Sequence, residues 1–87
     1  MKHNITFTPG AFDCYKEWAV VDKQKFKKIN DSIQSIDRTP YEGIGKPEPL
    51  KHQLRGCWSR QISDEHRLVY QVVSETEIII LQCKYHY

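Results

Sequence analysis

From Pro9 to Pro40 the apolar positions recur at helical spacing, and from Gln53 onward they follow a strand-like pattern. Residues 41–52, between the two, follow neither. Ile5 and Phe7 mark a short first strand. Thr8-Pro9 then reads as a helix start, with a hydroxyl at the N-cap and proline at the first helical position. Phe12, Tyr15, Trp18 and Ala19 share one face of that helix and are expected to pack inward. Asp22 is placed to cap a second helix, whose Phe26, Ile29, Ile33 and Ile36 form a single stripe. Lys23, Lys27 and Arg38 fall on its opposite side. Pro40 ends the helix, because the residue before a proline is pushed out of the α region.

Gly43, Gly45, Pro47 and Pro49 exclude a regular helix or central strand over 41–52. A long irregular stretch in so small a chain is usually functional, and the prolines on either side of Glu48 present its carboxylate from a stiff loop. Beyond it the pattern predicts strands over 53–55, 57–63, 67–73 and 77–85, an antiparallel meander turning at Asp64-Glu65 and Ser74-Glu75-Thr76. With two-residue loops, odd positions of 67–73 would lie opposite even positions of 77–86. Arg67 would then share a face with Gln82, Lys84, His86 and Arg60. Leu68, Tyr70, Val72, Ile79, Leu81 and Cys83 would point toward the helices. The expected fold is α+β: two N-terminal helices packed on a twisted, mainly antiparallel sheet.

A chain of 87 residues with 39% hydrophobic and 11% aromatic content builds one small domain, spanning residues 1–87. No apolar run reaches membrane-spanning length, and Met1-Lys2-His3-Asn4 lacks the apolar region of a signal peptide. The expectation is a soluble cytoplasmic protein. Cys14, Cys57 and Cys83 are odd in number and widely spaced, which favours buried reduced thiols over a disulfide framework. Net charge is only +2, so the distribution of charge says more than the total. Lys23, Lys25, Lys27 and Lys28 cluster in the second helix, where a solvated face and a phosphate-binding role weigh equally. Lys46, Lys51, Arg55, Arg60 and Arg67 gather in the central third, and Lys51 and Arg60 are candidate phosphate contacts. Trp58 is expected to pack half-buried on the sheet.

Glu48, Arg67 and His86 supply a carboxylate, a guanidinium and an imidazole. Metal-free cleavage of RNA needs a base for the ribose 2′-hydroxyl, a cation on the phosphate and an acid for the departing 5′-oxygen. On residue statistics alone Glu48 is an exposed loop carboxylate, Arg67 a strand arginine paired with Asp64 or Glu65, and His86 a frayed terminal residue. His3, His52 and His66 have no metal-ligand spacing and read as structural or surface residues.

The surrounding string decides between these readings. Arg38-Thr39-Pro40, Glu42-Gly43, Gly45-Lys46-Pro47-Glu48-Pro49-Leu50-Lys51-His52, Trp58-Ser59-Arg60, Asp64-Glu65-His66-Arg67-Leu68-Val69-Tyr70 and the terminal His86-Tyr87 closely resemble the YoeB (Txe) family of bacterial toxins, in the RelE superfamily. The resemblance covers nearly the whole chain. It implies a RelE-like fold and a ribonuclease toxin of a type II toxin–antitoxin pair, cutting mRNA in the A site of the 70S ribosome. It assigns Glu48 as general base, Arg67 to the scissile phosphate and His86 as general acid, without metal or organic cofactor. Tyr87 is implicated at the site, by stacking on a base or by hydrogen bonding. The implied partner is a YefM-like antitoxin, through which alone the complex would contact DNA; a homodimer is compatible, a membrane is not. One departure stands out: many relatives carry a second basic residue where this chain has Gln61. The alternative is a non-enzymatic ParE-like toxin that inhibits gyrase on the same fold, which would need no base–acid pair.

Overall fold

The Thr8 hydroxyl accepts a hydrogen bond from the Ala11 amide and Pro9 sits in the first turn, so α1 runs Pro9–Val21 in the computed structural model, which describes residues 1–85. The Asp22 carboxylate accepts from the amides of Gln24 and Lys25 at 3.1 and 3.2 Å and starts α2, Lys23–Arg38. That helix buries Ile29, Ile33 and Ile36, leaves Lys23, Lys27 and Arg38 exposed, and stops before Pro40 as expected. In α1 the buried positions are Ala11 and Trp18, whereas Phe12 is 45% exposed. Phe12 lies at the rim of the interface and packs sideways on Phe7 and Tyr15.

Five strands form one sheet in the order β1-β5-β4-β3-β2: β1 Asn4–Phe7, β2 Glu48–Pro49, β3 Trp58–Gln61, β4 Arg67–Val72 and β5 Glu77–Gln82. Only β1 and β5 are parallel; the other three pairings are antiparallel. The expected strand over 53–55 is absent. His52–Leu54 form a 3-10 turn instead, with the amides of Leu54, Arg55 and Cys57 bonded to carbonyls three residues back.

The register of β5 also departs from expectation. Val73 N–H bonds the Glu77 carbonyl across a three-residue loop, so Val72 faces Ile78 and Tyr70 faces Ile80. Ile78 and Ile80 therefore enter the core, and Ile79 and Leu81 point away from it. At Val69 the pairing skips to Gln82, making Leu81 the extra residue of a bulge. The skip returns Cys83 to the core.

The main core lies between helices and sheet, where Ile29, Ile36, Leu68, Tyr70, Ile78 and Ile80 are fully buried. A second cluster on the other sheet face joins Leu50, Cys57 and Val69, with Leu54 and Leu81 against it. It glues the 50–57 segment to the sheet. The three cysteines are free thiols, and burial pushes that of Cys83 up to about 12.

Asp37 ties the chain start to the end of α2. Its carboxylate accepts from the Lys2 amide at 3.0 Å, the His3 amide at 2.7 Å and the His3 ring at 3.0 Å. Burial alone would raise its pKa, but these donors outweigh burial and hold it below the ordinary carboxylate range. A depressed carboxylate contributes stability above its unfolded value, near 3.9, and loses it as pH falls through the folded value. Asp37→Asn should therefore lower Tm at pH 7 and flatten the Tm profile below about pH 4. A variant whose acid limb matches wild type would show that Asp37 does not shape it.

Candidate active site

Cross-strand pairing brings two of the expected residues onto one surface. Glu48 lies opposite Ser59, and Gln61, two residues on, lies opposite Arg67. Directly paired residues share a face, so Glu48 and Arg67 both project from the side away from the helices. Two strand spacings and two residues of rise put their Cα atoms about 12 Å apart. A carboxylate and a guanidinium can share one phosphodiester group across that gap.

Glu48 is exposed, but its backbone is well held. Gln61 N–H bonds the Gly45 carbonyl at 2.6 Å and Leu50 N–H bonds the Cys57 carbonyl at 3.0 Å, so the strand is fastened on both sides of Pro47-Glu48-Pro49. Gly45 has φ +80 and lies so close to β3 that a Cβ would meet the Arg60 Cβ and the Gln61 backbone at about 3.1 Å. Lys51 is exposed and, with Glu48, Pro49, Leu50 and His52, lines an open pocket of about 290 Å³. Lys51 and Glu48 thus line one open pocket.

Arg67 is half-buried. Its Nη1 donates to the carbonyls of Ser63, Asp64 and His66 at 2.6, 3.3 and 3.1 Å, and its side-chain hydrogen bonds to described residues all leave from that nitrogen. One side of the guanidinium is thus fixed by the 63–66 turn.

Arg60 is not where the sequence reading put it. It pairs with Leu68, on the helix side, and is fully buried. Nε donates to the Tyr70 hydroxyl at 3.1 Å, Nη1 to Ser35 Oγ at 2.9 Å and the Ile44 carbonyl at 2.8 Å, and Nη2 to the carbonyls of Thr39 and Glu42, both at 2.9 Å. These use all five donors of the guanidinium. The Tyr70 hydroxyl in turn donates to the Pro40 carbonyl at 2.5 Å. Arg60 is a post around which the 39–45 loop is wound, and has no donor left for a phosphate. Gly43 completes the wrap: a Cβ there would sit 2.4 Å from Ser35 Oγ.

His86 and Tyr87, the expected acid and its neighbour, lie outside the described residues. Lys84 does not share the Arg67 face as expected; its Nζ turns to Glu17 of α1 at 3.2 Å. Trp58 is half-buried against the core and Tyr41, as the sequence suggests. Two residues escaped the sequence reading: Ser59, the cross-strand neighbour of Glu48, and Tyr70, the second hydroxyl of the Arg60 network. A two-residue β2 gives no periodicity from which the Ser59 pairing could be read. Tyr70 was legible only as an apolar core position. Among the described residues no helix is long and apolar enough to cross a membrane, and no cluster of His, Cys, Asp and Glu is placed to hold a metal ion.

Comparison with known proteins identifies the family of the chain. The family model described as "YoeB-like toxin of bacterial type II toxin-antitoxin system" matches residues 7–87. The chain is 53% identical over 83 residues to Toxin YoeB of Escherichia coli (strain K12), covering 95% of this chain and 98% of that one. The YoeB dimer from Staphylococcus aureus superposes with a TM-score of 0.92 at 53% identity, over 100% of both chains. A chain of the heterotetrameric YoeB-YefM toxin–antitoxin complex from the same organism gives 0.89 at 53% identity, again over 100% of both. The chain belongs to the YoeB-like toxins of bacterial type II toxin–antitoxin systems.

Proposed function

We propose that this chain is a ribosome-dependent mRNA endoribonuclease that inhibits translation by cutting the message in the ribosomal A site. The observation that carries the reading is the shared face of Glu48 and Arg67, a carboxylate and a half-anchored guanidinium placed to flank one phosphodiester. Glu48 takes the proton of the 2′-hydroxyl, whose oxygen attacks the adjacent phosphorus. Arg67 holds the non-bridging oxygens as charge builds on them, Lys51 steadies the neighbouring backbone, and His86 protonates the 5′-oxygen as the bond to phosphorus breaks. The products are a 2′,3′-cyclic phosphate, or the 3′-phosphate formed when water opens that ring, and a 5′-hydroxyl. No step calls for a metal ion or an organic cofactor. Tyr87 joins the site by stacking or hydrogen bonding.

The Staphylococcus aureus relatives are described as a dimer and as a complex with YefM. By that likeness the partner is a YefM-like antitoxin, the free toxin forms a homodimer, and DNA is contacted only through the antitoxin. The place of action is the cytoplasm, with the 70S ribosome.

Adding the protein to a bacterial translation extract and mapping mRNA ends tests the reading. Cuts confined to ribosome-bound message, with 5′-hydroxyl ends, are expected, and Arg67→Lys should cut far more slowly because an ammonium cannot reproduce the planar fork. Intact message together with blocked gyrase supercoiling would establish the ParE-type alternative instead.

A further inference from the structure

His66 is buried at 7% exposure; its backbone is bonded within the 62–67 turn, and its ring reaches one of the last described residues. Its Nδ1 accepts a hydrogen bond from the Tyr85 amide at 2.7 Å. An amide can only donate, so Nδ1 carries no proton and the ring proton resides on Nε2. The imidazole lies edge-on to Trp18 at 4.8 Å and tilted against the Tyr85 ring at 5.2 Å. Trp18 Nε1–H donates to the Cys83 carbonyl at 2.8 Å, and the Arg67 amide donates to the Tyr85 carbonyl at 3.1 Å. Beyond the end of β5, the backbone is thus gripped at Cys83 and at both polar groups of Tyr85.

Tyr85 has φ +60, a left-handed conformation that bulky side chains rarely adopt. Such a residue persists where its surroundings over-determine it. The next residue in the sequence is His86. The turn at Tyr85 is bonded to Arg67 through that residue's backbone, while the Arg67 side chain faces the proposed phosphate position.

We propose that His66 is a positioning residue: as an obligate hydrogen-bond acceptor it latches the Tyr85 turn and thereby fixes the point from which His86 enters the reaction. The inference rests on the proposed ribonuclease reading for its consequence in catalysis, but the latch itself is a property of the backbone. His66 touches neither substrate nor reacting atoms and acts only through the Tyr85 amide.

Asn and Gln separate this role from general packing. Asn carries its oxygen as many bonds from Cβ as His carries Nδ1, and Gln carries it one bond further. His66→Asn should retain most cleavage, and His66→Gln should lose about 10- to 100-fold, the range in which misplacing a general acid falls. A substrate with sulfur in place of the 5′-oxygen needs little protonation to depart, so on it His66→Gln should recover most of that loss. The double variant His66→Gln/His86→Ala should be no slower than His86→Ala. Equal losses for Asn and Gln, an undiminished loss on the sulfur substrate, or multiplied losses in the double variant would each overturn the proposal. Hydrogen exchange at the Tyr85 amide tests the latch without reference to activity. Protection in wild type and His66→Asn, with faster exchange in His66→Gln, is expected, and unchanged exchange in His66→Gln would dismiss the latch. If wild type cut no mRNA while these exchange rates behaved as expected, the ribonuclease reading would fall and the latch would stand.

Discussion

Glu48→Gln is expected to slow mRNA cleavage by about 10²–10⁴-fold while leaving fold and ribosome association unchanged. The side chain is exposed and its shape is conserved in the amide, so neither packing nor the bonds that hold 45–50 against β3 are disturbed. What is lost is the ability to accept the 2′-proton. The amide also removes a negative charge beside the RNA, so binding should hold or tighten slightly as cleavage collapses. Single-turnover cleavage on programmed ribosomes, alongside an affinity measurement, separates the two effects. Near-wild-type cleavage by the folded variant would take Glu48 out of the mechanism.

Arg60→Ala is expected to have the largest effect on stability, about 3–5 kcal/mol by urea unfolding. It removes five charge-assisted hydrogen bonds and leaves the Ser35 hydroxyl and the carbonyls of Thr39, Glu42 and Ile44 short of a donor around an emptied volume. Arg60→Lys should recover only part of this, because three donors on one nitrogen cannot serve acceptors spread around a planar fork. A stable Arg60→Ala protein with weakened RNA binding would restore the surface phosphate role that the sequence suggested. The structure argues for the opposite outcome, in which activity falls because the loop leading to Glu48 loses its post.

The helices were legible because their signals are local. Thr8-Pro9, Asp22 and Pro40 act within a turn of themselves, and the Ile29–Ile33–Ile36 stripe is a matter of spacing. Strand register was not, because Ile78-Ile79-Ile80-Leu81 is apolar at every position and alternation cannot say which face is inner. One extra loop residue and one bulge then settled what the pattern left open. The partner of β1 was equally hidden, since a parallel pairing with β5 joins the two ends of the sequence. Glu48 and Arg67 were found through motif resemblance, and pairing placed them together. Arg60 misled because a buried guanidinium without a carboxylate looks the same in sequence as an exposed one. Only the fold shows three loop carbonyls turned inward to receive it. His66, read as a structural or surface residue, has its partner at Tyr85, too far along the chain for spacing to suggest it.

The position of β5 bears on when this protein becomes a folded object. In order of synthesis β5 comes after every other strand, yet in the sheet it lies between β1 and β4. Until it emerges from the ribosome, β1 has no neighbour to pair with, and the helices lack Ile78, Ile80 and Cys83 to close upon. A nascent chain holding only β1 to β4 has a three-stranded remnant with an open edge at β4, and its helices lack part of the core that they pack on. On the proposed function, a toxin that attacks messages on ribosomes thereby gains its closed sheet and full core only after its own message has delivered β5.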